Sequence, residues 1–355
     1  MKAIIPGLLL FWISVVFGQE SKTDTIYNSE RIVNSTFDTL NYPIKKYHQL
    51  LSMHDPILYL GVAPYFANTK ERLSPLEDKE GKNGYWLEGN MNFRFAFYKG
   101  AYYSPKWIQR LRVTFDAGFI VRMTQDSSSP LLPTNNEFGI GADYFLSKFD
   151  FSGQKWHSWF TFQAHHYSNG QSDNPFRDAS NLRNNYKNGD FSTNYLRGIV
   201  YFAKPIWTYG IASAGLGYQR DMTFFNPLTI TEEMKHGSYG QNRLLLNLQL
   251  LRRSTFVITE NSDIKPKFTT INKRQKFAFR SEMSYIIDGD LRPLAPTNKK
   301  YRFAAHNYII WYPWEKADIG FIIKHYYGRD YLNIRYDDVI HGIQAGITID
   351  VNKKN

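Results

Sequence analysis

The sequence predicts an all-β protein, a twelve-stranded antiparallel transmembrane β-barrel, and three observations predict it. The chain opens with the pattern of an export leader. Beyond that leader it carries a heavy aromatic load but no apolar run long enough to cross a bilayer as a helix. From residue 57 onward, apolar residues recur at every second position in an even number of segments.

The leader comes first. Lys2 supplies a positive start, and residues 4–17 form an apolar run broken only by Pro6, Gly7 and Ser14. Val16 and Gly18 occupy the small-residue positions of a signal-peptidase site, so residues 1–18 read as a signal peptide and Gln19 as the first mature residue. The run is short for a membrane helix, and no Cys follows it to accept a lipid. The absence of cysteine also excludes a disulfide scaffold. Residues 19–55 are rich in Ser, Thr, Asn and Asp without a clear period, and read as a partly disordered periplasmic lead-in. Residues 56–355 form the barrel in this reading, with no internal repeat and no second domain.

Composition supports a membrane barrel. The mean hydropathy is negative, yet 17% of the residues are aromatic, with 26 Phe, 25 Tyr and 8 Trp. A barrel wall needs apolar residues at only alternate positions, and its aromatics gather at the two interfaces. The net charge of +11 suits anionic surface lipids. Nucleic acid is not an expected partner of an exported chain.

The alternation is clearest near the C-terminus. Val339, His341, Ile343, Ala345, Ile347, Ile349 and Val351 share one face, opposite Ile340, Gly342, Gln344, Gly346, Thr348 and Asp350. Ala317, Ile319, Phe321 and Ile323 repeat the pattern opposite Asp318, Gly320, Ile322 and Lys324. Strands are expected near 57–66, 83–98, 107–122, 134–149, 154–168, 191–204, 207–221, 242–252, 276–288, 299–312, 316–327 and 337–351. Short and long connections then alternate, except at 253–275, a long basic stretch on the side of the short turns. A soluble β-sandwich would also alternate, but with shorter strands and no need for the aromatics.

The chemistry lies at the end of the fifth strand. Residues two apart in a strand point the same way, so Phe160, Phe162, Ala164, His166 and Ser168 share the greasy face, and Thr161, Gln163, His165 and Tyr167 the other. Two polar side chains against hydrocarbon are costly unless satisfied. They are natural in an enzyme whose substrate is the bilayer. An imidazole can take the proton of a serine hydroxyl, and needs a partner on its second nitrogen to hold its tautomer. Asn181 is the expected partner. A bare His-x-Ser is also common as two interfacial residues wetted by water.

The string His166-Tyr167-Ser168-Asn169-Gly170-Gln171-Ser172-Asp173, followed by Pro175 and Asn181, resembles the active-site signature of the outer-membrane phospholipase A family. Ser127-Ser128-Ser129-Pro130 with Thr134-Asn135-Asn136-Glu137 resembles that family's serine-bearing outer loop, and residues 327–336 resemble its last outer loop. The resemblance implies a twelve-stranded barrel with Ser168 as nucleophile, His166 as general base, Asn181 orienting it and the Gly170 amide as an oxyanion donor. It implies calcium as cofactor, held near Gln171 and by serine hydroxyls, with Ser128 or Ser129 supplied by a partner subunit of a homodimer. Membrane phospholipids of the outer membrane are the implied substrates. Pro175 and Asn181 stand one residue further from Ser168 than in the family, which keeps Asn184, Asn185 and Asp178 open as alternatives. Arg177 occupies the position of a calcium-ligand serine, Gln171 that of a basic residue, and the last strand lacks a terminal aromatic.

Two other readings compete. A lipid A deacylase also shows His-x-Ser-Asn, but on a smaller barrel and with a Glu in its triad, and no Glu lies between Ser168 and Thr231. A porin-like channel needs no catalytic group and predicts a wide polar interior. A lipase predicts an interior filled by interlocked polar side chains. The inward set Asp143, Gln163, Lys324, Gln344 and Asp350 fits either.

Overall fold

The computed structural model describes residues 54–68, 85–99, 105, 107–124, 131–151, 154–178, 183–186, 188–206, 210–222, 239–258, 270–288, 301–314, 319–336 and 339–349. Twelve antiparallel strands close into one barrel. In chain order they are β1 (Leu58–Asn68), β2 (Tyr85–Lys99), β3 (Leu111–Thr124), β4 (Asn135–Phe151) and β5 (Gln154–Ser168). After a small outer hairpin, β6 (Phe176–Asp178) and β7 (Arg183–Asn184), follow β8 (Ser192–Ile206), β9 (Gly210–Met222) and β10 (Asn242–Ile258). The last four are β11 (Thr270–Ile286), β12 (Phe303–Trp311), β13 (Ile319–Arg329) and β14 (Val339–Ile349). Each strand pairs with its neighbour in sequence, β5 with β8 across the hairpin, and β14 with β1 to close the wall. No helix among the described residues is long and apolar enough to cross a membrane.

The period-two pattern sorts the side chains as expected. Ile319, Phe321, Ile323, Ile343, Ile347 and Ile349 are exposed on the outer wall, while Ile322, Lys324, Gln344 and Thr348 are buried inside. Trp107, Trp311 and Trp314 lie exposed near one end of the barrel, and Trp86, Tyr218 and Tyr285 near the other, the two-girdle arrangement of a membrane barrel. Val339, assigned to the outer set, is buried at the rim beneath Tyr301. Asp350 lies outside the described residues.

Two expectations change. The basic stretch 253–275 is not one long connection: β10 continues to Ile258 and β11 begins at Thr270, with Ile258 opposite Thr270. A register shift at Arg252/Arg253 breaks the alternation there, which hid the extension from a period-two reading. The lead-in boundary also moves. His54 and Asp55 are buried inside the lumen, at the end remote from Ser168, while 19–53 lie outside the described residues. The His54 ring stacks on Tyr201 with centroids 4.2 Å apart, and its Nε2 bonds Ser213 Oγ at 2.8 Å. Arg280 donates to the carbonyl oxygens of both residues.

Asp55 feeds the first of two luminal networks. Its carboxylate accepts from Arg94 at 3.2 Å and from Arg112 at 2.9 Å; Arg94 also pairs with Asp116 and Arg112 with Asp143. The second lies toward the loop end, where Glu88 accepts from Arg122 at 2.9 Å and Lys324 at 2.8 Å, and Arg122 reaches Asp330 at 2.8 Å. Tyr331 donates to Glu88 and takes Lys324 on its hydroxyl. The lumen is thus occupied by interlocked polar side chains around a cavity of about 400 Å³. Charges so deeply buried are tolerated because each meets an opposite charge, and removal of one partner is costly.

Glu88→Ala leaves Arg122 and Lys324 without their common acceptor. A stability loss on the order of 3–5 kcal/mol is expected, read by denaturant unfolding of the detergent-folded barrel. Wild-type stability in this variant would refute the role assigned to the network.

Candidate active site

The side chain at each position of β5 is set by the pleat. Thr161, Gln163 and His165 are buried in the lumen, and Phe162 is exposed on the outer wall with Ala164, His166 and Ser168 on the same side. The two adjacent histidines are therefore separated by the wall. His165 sits inside, 3.1 Å from Asp116 and 2.5 Å from Glu137, with the Tyr195 hydroxyl at 2.9 Å. Its ring packs close to Gly139 on β4, where an added Cβ would come within 2.4 Å of the imidazole Cδ2. Only glycine leaves room for it.

His166 points outward between two strands. Across the β4 side its ring leans on Phe138, centroids 4.9 Å apart. Across the β8 side it is paired in register with Asn194, and its Nδ1 lies 3.1 Å from Asn194 Oδ1. With Nδ1–H donating to that oxygen, Nε2 keeps its lone pair as the basic nitrogen. Ser168 stands two residues along the same face, opposite Asn136 on β4 and Ser192 on β8. Among the described residues no hydrogen bond closes between Ser168 and His166. The Ser192 hydroxyl is buried there without a hydrogen-bond partner among the described residues.

The turn after Ser168 is tied down by Asn169, which is 1% exposed. Its Oδ1 accepts from the amides of Gln171 at 3.2 Å and Phe191 at 3.0 Å, and its Nδ2 donates to Gly189 O at 2.7 Å. Gly170 follows with φ +65°, a left-handed conformation that favours glycine, and its amide is not taken up by any described residue. The loop then folds over the outer mouth. Phe176, Tyr186 and Phe191 pack with Tyr239, Ile334 and Tyr336, and Tyr167 joins them from β5. Burial raises the Asp190 carboxyl in this loop above the usual carboxylate range.

The described residues offer a second candidate for the orienting asparagine. Asn181 falls between β6 and β7, outside the described residues, and the His166 nitrogen it was expected to bind is engaged by Asn194. Asn184 and Asn185 are committed elsewhere, to Ile334 O at 2.9 Å and Asn174 O at 3.1 Å. The missed signal was parity. Asn194 shares the outward face of β8 with Leu196, Val200 and Phe202, a polar residue on a greasy face, as His166 is on β5.

The calcium ligands that the resemblance implies are only partly among the described residues. Calcium takes six to eight oxygen ligands, and the Arg177 side chain offers none. Near Gln171, whose backbone N–H donates to Asn169 Oδ1, the Asp173 carboxylate accepts from Asn188. Ser128 and Ser129 lie outside the described residues. No group of three or more His, Asp or Glu suited to a metal occurs among the described residues.

No family model and no characterised protein sequence matches the chain. Its fold is similar to that of outer membrane phospholipase A. The Salmonella typhi outer membrane phospholipase, a dimer with bound calcium, aligns with a TM-score of 0.52 at 12% identity, covering 87% of this chain and 97% of that one. An active-site mutant of the Escherichia coli enzyme aligns with a TM-score of 0.51 at 13% identity, covering 86% and 96%. At such identities the likeness shows the fold, a twelve-stranded barrel of outer-membrane type.

Asn169→Ala removes the fastening of the turn beside Ser168, at a cost of about 1–3 kcal/mol in local stability. Limited proteolysis should then cut within 170–190 while the barrel keeps its heat-modifiable migration. A loop as resistant as wild type would show that the aromatic cluster alone holds it.

Proposed function

We propose that this protein is an outer-membrane phospholipase A that hydrolyses acyl esters of phospholipids at its lipid-facing rim. The observation that carries the reading is the hydrogen bond between His166 and Asn194 on the outer wall, beside Ser168. The Ser168 hydroxyl attacks the ester carbonyl as His166 Nε2 takes its proton. The Asn194 carbonyl holds the ring and steadies the imidazolium, and the Gly170 amide faces the developing oxyanion. His166 then returns the proton to the leaving lysolipid, and water releases the acyl group from Ser168 by the same route in reverse.

Substrate reaches such a site from the side, out of the bilayer, which accounts for a catalytic group on the greasy face. The filled lumen supports this reading over a channel. Glu137, the glutamate nearest Ser168 in sequence, pairs with His165 inside the lumen, so a Ser-His-Glu triad of the lipid A deacylase kind finds no support. A homodimer remains part of the proposal, as found for the Salmonella typhi protein. No step is assigned to calcium, because Arg177 stands where a serine ligand is expected and Ser128 and Ser129 lie outside the described residues.

The test is release of fatty acid from mixed phospholipids by purified, detergent-folded protein. Ser168→Ala should lose on the order of 10³-fold or more of the rate with unchanged folding. Asn194→Ala should lose about 10²-fold, whereas Asn181→Ala should stay near wild type. Full activity in Ser168→Ala would refute the lipase, and a silent Asn194→Ala beside an inactive Asn181→Ala would restore Asn181 to the triad.

Placement in the outer membrane is tested separately. Cysteine introduced at Ser172 should react with an impermeant thiol reagent on intact cells, and cysteine at Gln109 only after permeabilisation. Equal labelling would overturn the orientation.

A further inference from the structure

His166 is not the only imidazole on the outer wall. His325 on β13 alternates with exposed Ile323, and His341 on β14 with exposed Ile343, while Lys324, Tyr326 and Ile340 between them are buried. The two rings meet edge to face, with Nε2 atoms 3.0 Å apart. Behind them, Asn307 on β12 bonds His325 Nδ1 at 3.2 Å, and Ser281 on β11 bonds Asn307 at 2.7 Å. A polar chain therefore crosses four strands of a wall whose neighbours are Ile, Phe and Trp. β13 lies six strands from β5 in either direction round the barrel, so this chain is no part of the site at Ser168.

Imidazoles facing hydrocarbon carry a desolvation cost that Leu or Ile would not. Here two ring nitrogens converge on one point, which is what a metal ion requires. Zinc and its neighbours bind imidazole nitrogen at roughly 2.0–2.1 Å, and a tetrahedral ion spreads two such nitrogens to about 3.3 Å. The observed 3.0 Å needs only a small opening of the pair. Asn307, whose Nδ2 faces His325 Nδ1, stands where metal-ligating histidines find the supporting bond of their other ring nitrogen, and a half-turn of its amide supplies it. With its carbonyl turned to His325 Nδ1–H it holds the tautomer whose Nε2 is bare. The Ser281 hydroxyl, which both donates and accepts, satisfies the amide in that rotation.

We propose that His325 and His341 bind one divalent transition-metal ion on the outer wall opposite Ser168, with water completing the coordination. Imidazole ligands select copper(II), nickel or zinc over calcium and magnesium, and copper(II) binds most tightly of these.

The probe is copper(II), titrated into the full chain folded in detergent and followed by electron paramagnetic resonance. One equivalent should bind with two-nitrogen ligation, and excess calcium should not displace it. His325→Gln and His341→Gln should each weaken binding by about tenfold or more, Asn307→Ala by less, and Ser168→Ala not at all. The unsubstituted protein gives a second reading: copper should shield His325 and His341 from diethylpyrocarbonate, mapped by mass spectrometry, and leave His166 reactive. Absence of saturable binding, binding retained in the His325→Gln/His341→Gln double variant, or unshielded histidines would each overturn the proposal.

Discussion

Hydrocarbon offers no hydrogen bonds, so a polar side chain on the outside of a membrane barrel must find its partner on the wall itself. Among the described residues, the histidines of the outer wall come in linked sets. His166 meets Asn194 on the next strand, and His325 meets His341, Asn307 and Ser281. The partners come from cross-strand and diagonal neighbours, because those are the distances at which side chains on one face touch. The same constraint that permits an imidazole on this face therefore supplies the group that orients it. Structure and chemistry are met by one bond.

The interior obeys the complementary rule. Arg94, Arg112, Arg122 and Lys324 are cations with almost no access to solvent, and each is answered by Asp or Glu from a different strand or from the segment before β1. Asp55 links β2 and β3 to the lead-in, and Asp330 links β3 to the last outer loop. Such ties brace the wall from within. A braced wall holds in place the groups that β4, β5 and β8 bring together around His166 and Ser168.

Much of this was legible in the sequence. The limits of β5, 154–168, and the side of the wall taken by His165 and His166 follow from period two alone, because the pleat leaves no third option. Twelve strands follow from counting such segments. The extensions of β10 and β11 were hidden because a register shift and a run of basic residues break the pattern at Arg252. The luminal seat of His54 and Asp55 was hidden for another reason: their partners come from strands distant in sequence, and a short polar segment carries no mark of them. Asn181 lies between β6 and β7, outside the described residues, whereas Asn194 is set beside His166 by strand register, which a count along the chain from Ser168 does not reveal.

His166 and Asn194 are partners by strand register, and register does not depend on how many residues the loop between them contains. Insertions between 170 and 190, or a break in the chain there, leave the pairing of β5 with β8 intact. A single-residue insertion inside β5 does the reverse, turning His165 out to the bilayer and His166 into the lumen. Tolerance to changes of length is thus sharply divided along this chain, generous in the loop and absent in the strand beside it. Loop grafts and new chain termini belong in the first region, and a comparison of distant sequences by fixed spacing fails there while one by strand parity succeeds.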